Sequence, residues 1–327
     1  MAARNTEQYI AKCVQSIQAQ TYLNWELIAV NDRSTDATRQ ILEQHAAQDA
    51  RIRVVDSDGE RLNPALLTGQ HHIRGTLVNR MDSDDYMPVD KLASLYARWA
   101  PYGKGHVVAA GTQHFVDEGE VGQGFKRYED WLNMRTQKGD HYLHIYKECV
   151  IPSHCWLIHR DDFEAVGGFE PDVYPEDYDL CFRFYQAGYT VVALDKIVHY
   201  WRDRSDRISR TWPEYKDNRY YDLKLRYFYR LDRNRQRPLV VLGAGRNGKD
   251  LVKRLLPLEK ELIWVCDTPS KIGQDIYGIK LQATSVLADI AEPQVLVAVA
   301  SPTDQAEIKS RLAGWHMELA KDYWFFL

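Results

Sequence analysis

The sequence is poor in several features, and each shortage excludes a class of protein. No apolar run in its 327 residues approaches the ~18 that a membrane-spanning helix needs. The opening MAARNTEQYI lacks the basic and apolar regions of a secretory leader, so none is expected. Cysteine is scarce: Cys13, Cys149, Cys155, Cys181 and Cys266 are odd in number and form no C-x-x-C pair. That argues against a disulfide framework or a thiolate metal site and predicts free thiols in a reduced, cytoplasmic protein. Charge of one sign is not in excess, since 42 Lys and Arg against 46 Asp and Glu leave a net −4, and nucleic acid is not an expected partner. Internal repeats and low-complexity tracts are absent. What remains is ordinary folded-protein composition, 45% hydrophobic and 27% charged, at a length that suits about two domains.

Periodicity divides the chain into three stretches. From Asn5 to about Tyr200, helical and strand patterns alternate, which predicts a layered α/β domain. Asn5 and Gln8 fit a capping box ahead of Ile10, Cys13 or Val14, and Ile17, which recur at helical spacing. WELIAVN, RIRVVDS, GTLVNRMD and HCWLIHR read as strands, and EDYDLCFRFYQAG as a helix ending at Gly188. Between Tyr200 and Arg237 there are 12 Lys or Arg against 6 acids, and Tyr220, Leu223, Tyr227 and Leu231 share a helical face. From Pro238, PLVVLGAGRNGKDLVKRLL gives strand, glycine turn and helix, with ELIWVCD and QVLVAVAS as further buried strands. The expected division is 1–212, a basic and aromatic helical connector 213–237, and a smaller α/β unit 238–327.

Three acids, Asp82, Asp84 and Asp85, crowd the end of the strand GTLVNRMD. Like charges that close are unfavourable unless solvated, capped or neutralised by a cation. Asp82 and Asp84 could supply half of a hard-cation site completed by phosphate, at the sheet edge where open α/β folds bind ligands. The alternative is a solvated turn that caps the helix starting near Pro88 and Asp90. AVNDRSTDAT ends another strand in acids: Asp36 suits a helix cap, and Asp32 either a turn or a hydrogen bond to a ligand. Glu176 and Asp177, just after Pro175, suit either a helix's first turn or a general base.

These segments, in order, carry a resemblance. YIAKCVQSIQAQTYLNWELIAVNDRSTDAT, MDSDDYMPVDKL and GGFEPDVYPEDYDLCFRFYQAGY are similar to the successive signatures of glycosyltransferase family 2, from about Asn5 to Thr211. VHYWRDRSDRISR resembles the Trp-Arg segment that ends the catalytic domain in some members. The resemblance implies a GT-A fold with a mixed, mainly parallel sheet. It also implies a nucleotide-sugar donor, a divalent metal (Mg²⁺ or Mn²⁺) and inversion at the anomeric carbon of a transferred hexose. It places Asp32 on the nucleotide base with Asn31 beside it, Asp82 near ribose and metal, and Asp84 on the metal. Asp177, with Glu176 next to it, takes the base position, and Arg202 or His199 touches the diphosphate. UDP- or dTDP-sugars are the expected donors, and a cell-surface polysaccharide or lipid-linked saccharide the acceptor, at or near the inner face of the membrane.

The chain also departs from that pattern. MAARN stands where the turn after a first apolar strand should be, so the whole of that strand is expected to be missing and its neighbours left with unpaired backbone. Asn31 and Arg33 stand where the family prefers Asp and Gly, and ALLTG (65–69) replaces a small-Arg-Asn-x-Gly pattern. In the last stretch, Gly243, Gly245 and Gly248 keep G-x-G-x-x-G spacing, with Asp267 at the end of the next strand. This resembles small Rossmann-like domains on bacterial sugar-modifying enzymes, and it reads either as a nucleotide site or as a docking module. The connector reads either as a membrane-facing surface or as an interdomain brace. The rival to a transferase is a catalytically impaired nucleotide-binding or regulatory protein that uses its C-terminal glycine turn.

Overall fold

The structure, a computed structural model, describes residues 1–170, 172–204, 207 and 220–327. They fall into two compact units, Met1–His141 with Val150–Lys216, and Tyr142–Cys149 with Asp217–Leu327. The first runs β1 (Ala2–Ala3), α1 (Ile10–Gln18), β2 (Leu27–Asn31), α2 (Thr38–Gln48), β3 (Ile52–Asp56), α3 (Leu62–His71), β4 (Leu77–Val78) and α4 (Lys91–Trp99). It continues with β5 (His106–Phe115), α5 (Gln123–Lys138), β6 (Trp156–His159), α6 (Arg160–Ala165), α7 (Glu176–Gln186) and β7 (Thr190–Arg202).

β2 shows why this unit is layered. All five of its residues are buried. Leu27 and Ala29 pack with Ile10, Cys13, Val14 and Ile17 of α1, while Ile28 and Val30 join Ala65 of α3 on the opposite face. A strand covered on both sides reads as a continuous apolar run. The predicted helical spacing in α1 is confirmed by the burial of those four residues. The capping box does not form. Asn5 turns to φ +51 and its Oδ1 accepts the Thr35 N–H at 2.8 Å, so its side chain ties two loops together.

The expected loss of a first strand needs correction. Ala2 and Ala3 form a two-residue strand there and pair in parallel with Val30 and Asn31 of β2. The unit's strands form two sheets, β1-β2-β3 and β4-β6-β5-β7. A cavity of about 770 Å³ lies between them, lined by Met1, Leu27 and Ile28 on one side and Leu77 and Val78 on the other. Trp25 and Trp99 also line it, and their buried indole N–H groups have no acceptor. An extended apolar segment fused ahead of Met1 is expected to enter this cavity, since Met1 lines it and its N-terminus bonds the Ile28 carbonyl. Three buried aliphatic side chains at about 2 kcal/mol each outweigh part of the ordering entropy. The extended chain is therefore expected to melt about 5 °C higher in a thermal scan, and a polar segment of the same length is not.

In the second unit, α8 (Tyr221–Leu231), β8 (Leu239–Leu242), α9 (Arg246–Leu255), β9 (Ile263–Cys266), β10 (Asp275–Ile276), β11 (Ile279–Lys280) and β12 (Gln282–Ala283) precede β13 (Gln294–Val297), α10 (Pro302–Gly314) and β14 (Tyr323–Phe325). Its five-stranded parallel sheet has the order β12-β9-β8-β13-β14, and β10 and β11 form a hairpin. Residues 220–237 of the expected connector belong to this unit. Phe228 of α8 meets the rings of Trp324 and Phe326 edge-on, at 5.1 and 5.9 Å. The rest of the connector, and the end of the Trp-Arg segment, lie outside the described residues. All five cysteines are buried and free. Among the described residues, no helix is long and apolar enough to cross a membrane.

Candidate active site

Two loops distant in sequence meet at one end of the first unit. The chain leaves β4 at Val78 and passes through Arg80 to Asp82, where a turn over Ser83 and Asp84 is closed by the Asp85 N–H donating to the Asp82 carbonyl at 3.3 Å. α7 begins at Glu176, with Asp177 next. Arg80 joins the two: its Nε donates to Asp82 Oδ1 at 2.9 Å and its Nη1 to Glu176 Oε1 at 2.7 Å. Both partners of the second pair are buried, at 7% and 5% exposure. Burial alone would push Asp82 up, but Arg80 and then His154 outweigh it and hold the carboxyl below the ordinary range. Asp177 moves the other way. Burial first, and the Glu176 charge second, raise its carboxyl to about 7 against the pull of Arg80.

Asp84 pairs with Arg204 Nε at 3.1 Å. Burial, and after it the Asp82 charge, raise its carboxyl against the pull of Arg204. Asp85 is the brace beneath the loop. Its Oδ2 accepts from or shares a proton with His199 Nε2 at 2.8 Å, and its Oδ1 accepts the Arg202 N–H at 2.7 Å. His199 Nδ1 lies 3.1 Å from the Lys91 ammonium, and its ring stacks on His154 at 3.7 Å. Burial pushes His154 down to about 4 and Lys91 down to about 8. Tyr86 and Tyr200 exchange backbone bonds that pin this loop to β7.

The donor set suits a hard divalent cation. Asp82 and Asp84 keep carboxylates 23% and 17% exposed, while Asp85 is closed off at 1%. Asp85 is pushed well up by burial, then by Asp84 and Asp82, so added positive charge at the loop is favourable. Asp85, His154 and His199 also bring ligand atoms within 4.8 Å of one another. There, however, both His199 ring nitrogens are engaged and a lysine ammonium already supplies the positive charge.

The other sequence-derived candidates are placed as follows. Asp32 is buried, accepts the Arg61 N–H at 3.3 Å, and is pushed up by burial against Arg4. Asn31 donates to Asp56 Oδ1 at 3.0 Å and accepts from the Ser34 N–H. Arg33, where the resemblance expects Gly, sits at φ +51, a conformation that favours glycine. Asp36 accepts the Thr38 N–H at 3.0 Å but lies one residue ahead of Ala37, which holds the N-cap position of α2. ALLTG lies inside α3, with Gly69 close to Val30 of β2. Arg202 packs under the acidic loop: its Nε donates to the Asp84 carbonyl at 2.7 Å, its other end pairs with Asp117, and Tyr9 and Phe115 flank it. Arg80, Lys91 and His154 were not singled out from sequence. Arg80 had a signal, an arginine in an apolar run, two residues before Asp82 and therefore on its side of the chain.

In the second unit, Gly243 at φ +118 opens the turn, and a Cβ on Gly248 would lie 1.9 Å from the Gly243 carbonyl oxygen. Gly245 has no such internal reason, since a Cβ there meets nothing within 4 Å. The space above it is a cavity of about 380 Å³ lined by Arg246, Lys249, Lys253 and Lys271. Asp267 is held by Arg311 through bonds of 3.0 and 2.7 Å.

A family model described as glycosyl transferase family 2 matches residues 1–167, just over half of the 327. Glycosyltransferase GlyA of Streptococcus pneumoniae is 28% identical over 218 residues, 64% of this chain and 31% of GlyA. Glycosyltransferase GlyG of the same organism is 29% identical over 217 residues, 63% of this chain and 70% of GlyG. The chain thus spans about a third of the length of one of these curated relatives. Among solved structures, residues 1–349 of S. aureus TarS in complex with UDP match with a TM-score of 0.51 at 16% identity. That match covers 78% of this chain and 70% of that one, and it is a likeness of fold alone.

Proposed function

The chain belongs to glycosyl transferase family 2, and on that premise we propose that it moves a sugar from a nucleotide-sugar donor to an acceptor hydroxyl, with inversion. The observation that carries this reading is the meeting of the Asp82–Asp84 loop with Glu176 and Asp177, joined through Arg80. The acceptor is a saccharide hydroxyl, free or lipid-linked. Asp177 accepts the hydroxyl proton as that oxygen forms its bond to the anomeric carbon. On the opposite face the bond from that carbon to the diphosphate oxygen breaks, and the nucleoside diphosphate leaves with the electron pair. Asp84 and Asp82 would hold the divalent cation, which when bound offsets the charge developing on the leaving diphosphate. Asp32 and Asn31, at the end of β2, would contact the nucleoside. A base must be ionised to work. With the Asp177 carboxyl at about 7, turnover is expected to fall as the pH drops below that value.

The experiment is a panel of nucleotide sugars, UDP- and dTDP-linked first, assayed for donor hydrolysis and transfer with Mn²⁺ and again with EDTA. Turnover that EDTA abolishes supports the transferase. A rival reading keeps one observation of its own, the open cradle over Gly245 among four basic side chains. A glycine turn at a helix N-terminus suits a diphosphate. Metal-independent nucleotide binding, with no turnover and lost in Gly245→Val, would favour a regulatory nucleotide-binding protein instead.

A further inference from the structure

Arg80 is the charged member of an otherwise uncharged run, Leu77 to Met81. A guanidinium buried this deeply is tolerated only with its partners in place, and here the two partners belong to opposite halves of the reaction. Asp82 is on the donor side and Glu176 beside the proton acceptor. The geometry points to Arg80 as a positioning residue: its planar fork locks the donor-side loop to the start of α7 and commits Glu176 to an ion pair, which reserves Asp177 as the base. This inference rests on the transferase reading above.

The division of labour follows from the contacts. Glu176 is tied to Arg80 Nη1, whereas Asp177 forms no ion pair among the described residues and accepts only its neighbour's N–H, that of Tyr178, at 2.8 Å. The charged groups facing Asp177 are Glu176 and Asp82, which push its carboxyl up, and Arg80, which draws it down. A lysine could keep the charge at position 80 but not the two-pronged geometry, because its ammonium is a single point on a flexible stem.

The test uses Arg80→Met, Arg80→Lys, Glu176→Gln and the double variant Arg80→Met/Glu176→Gln, at saturating donor and Mn²⁺. Arg80→Met is expected to lower kcat about 100-fold, with donor KM changed far less, and to move the acid limb of the pH profile upward. Glu176→Gln should move that limb downward, since it removes the charge that pushes Asp177 up. Arg80→Lys should leave the limb near its native place while kcat stays about tenfold low. The double variant should be little worse than Arg80→Met alone, because the two residues act as one unit. A purely structural arginine would shift melting temperature but not move the two limbs in opposite directions. Native kcat and an unmoved limb in Arg80→Met, or fully additive losses in the double variant, overturn the assignment. Should Arg80→Met fail to fold, native kcat in Arg80→Lys overturns it equally. Asp84→Ala and Asp177→Asn serve as controls. If both turn over normally the transferase reading itself fails, and if both are dead while the Arg80 variants are native, only the role of Arg80 fails.

Discussion

Asp177→Asn is expected to cut the transfer rate about 10³-fold and, in the same protein, to raise the melting temperature at pH 8. The first effect follows from removing the proton acceptor while its shape is kept. The second follows from the sign of the shift. Burial and the Glu176 charge raise the Asp177 carboxyl from the usual 3.8 to about 7. Its favourable contribution to stability is therefore complete below pH 3.8 and is lost as the pH rises through 7. At pH 8 the folded protein carries a charge that the unfolded chain would solvate better, a penalty on the order of a few kcal/mol. Asparagine removes it. Melting curves of both proteins at pH 5 and pH 8 check this, and the gain should be clearly larger at pH 8. An equal gain at both values would mean that the buried charge belongs to another group.

The scaffold was legible in the sequence wherever one local rule sufficed. Helical spacing identifies α1, a short continuous apolar run identifies β2, and glycine spacing identifies the turn before α9, because each signal is local to its element. The misreadings arose where a distant partner decided. Asn5 looked like a cap, but its side chain serves Thr35. β4 keeps only Leu77 and Val78 in the ladder, because the chain beyond them is recruited by Arg80, His154 and β6. The acids of the site were readable as clusters, yet their unequal states were not. Asp82 held low, Asp85 raised and Asp177 near 7 come from residues such as Arg80 and His154, whose proximity depends on the tertiary fold.

The buried layer behind the acids explains why this loop can gather charge at all. Asp85, His199, Lys91 and His154 form a chain of contacts under Asp82 and Asp84, with His199 between an acid and an ammonium. Each polar group there has a partner, and a satisfied buried network rigidifies what it supports. The loop's outward carboxylates are thereby fixed before any ligand arrives, so little ordering remains to be done on binding.

Mn²⁺ is expected to raise the melting temperature of the native chain, and Asp84→Ala to abolish that rise and lower donor turnover about 10³-fold. The argument starts from the repulsion seen without metal. Burial and the Asp82 charge push Asp84 up, and Asp84 in turn heads the charges that push up Asp85. Removing Asp84 relieves Asp85, so the metal-free variant should melt no lower than the native chain, although its Arg204 contact is lost. That pair is largely buried, at 24% and 17% exposure, so its loss offsets part of this relief. Asp84 and Asp82 would together hold Mn²⁺, so losing one of the two carboxylates weakens the site. At a metal concentration about 100-fold above the dissociation constant, the native shift corresponds to about 2.7 kcal/mol, several degrees for a domain of this size. Melting curves with and without Mn²⁺ therefore read the site independently of catalysis. A metal-free variant that melts well below the native chain, with its Mn²⁺ shift intact, would assign Asp84 to bracing Arg204 and leave the cation to other ligands.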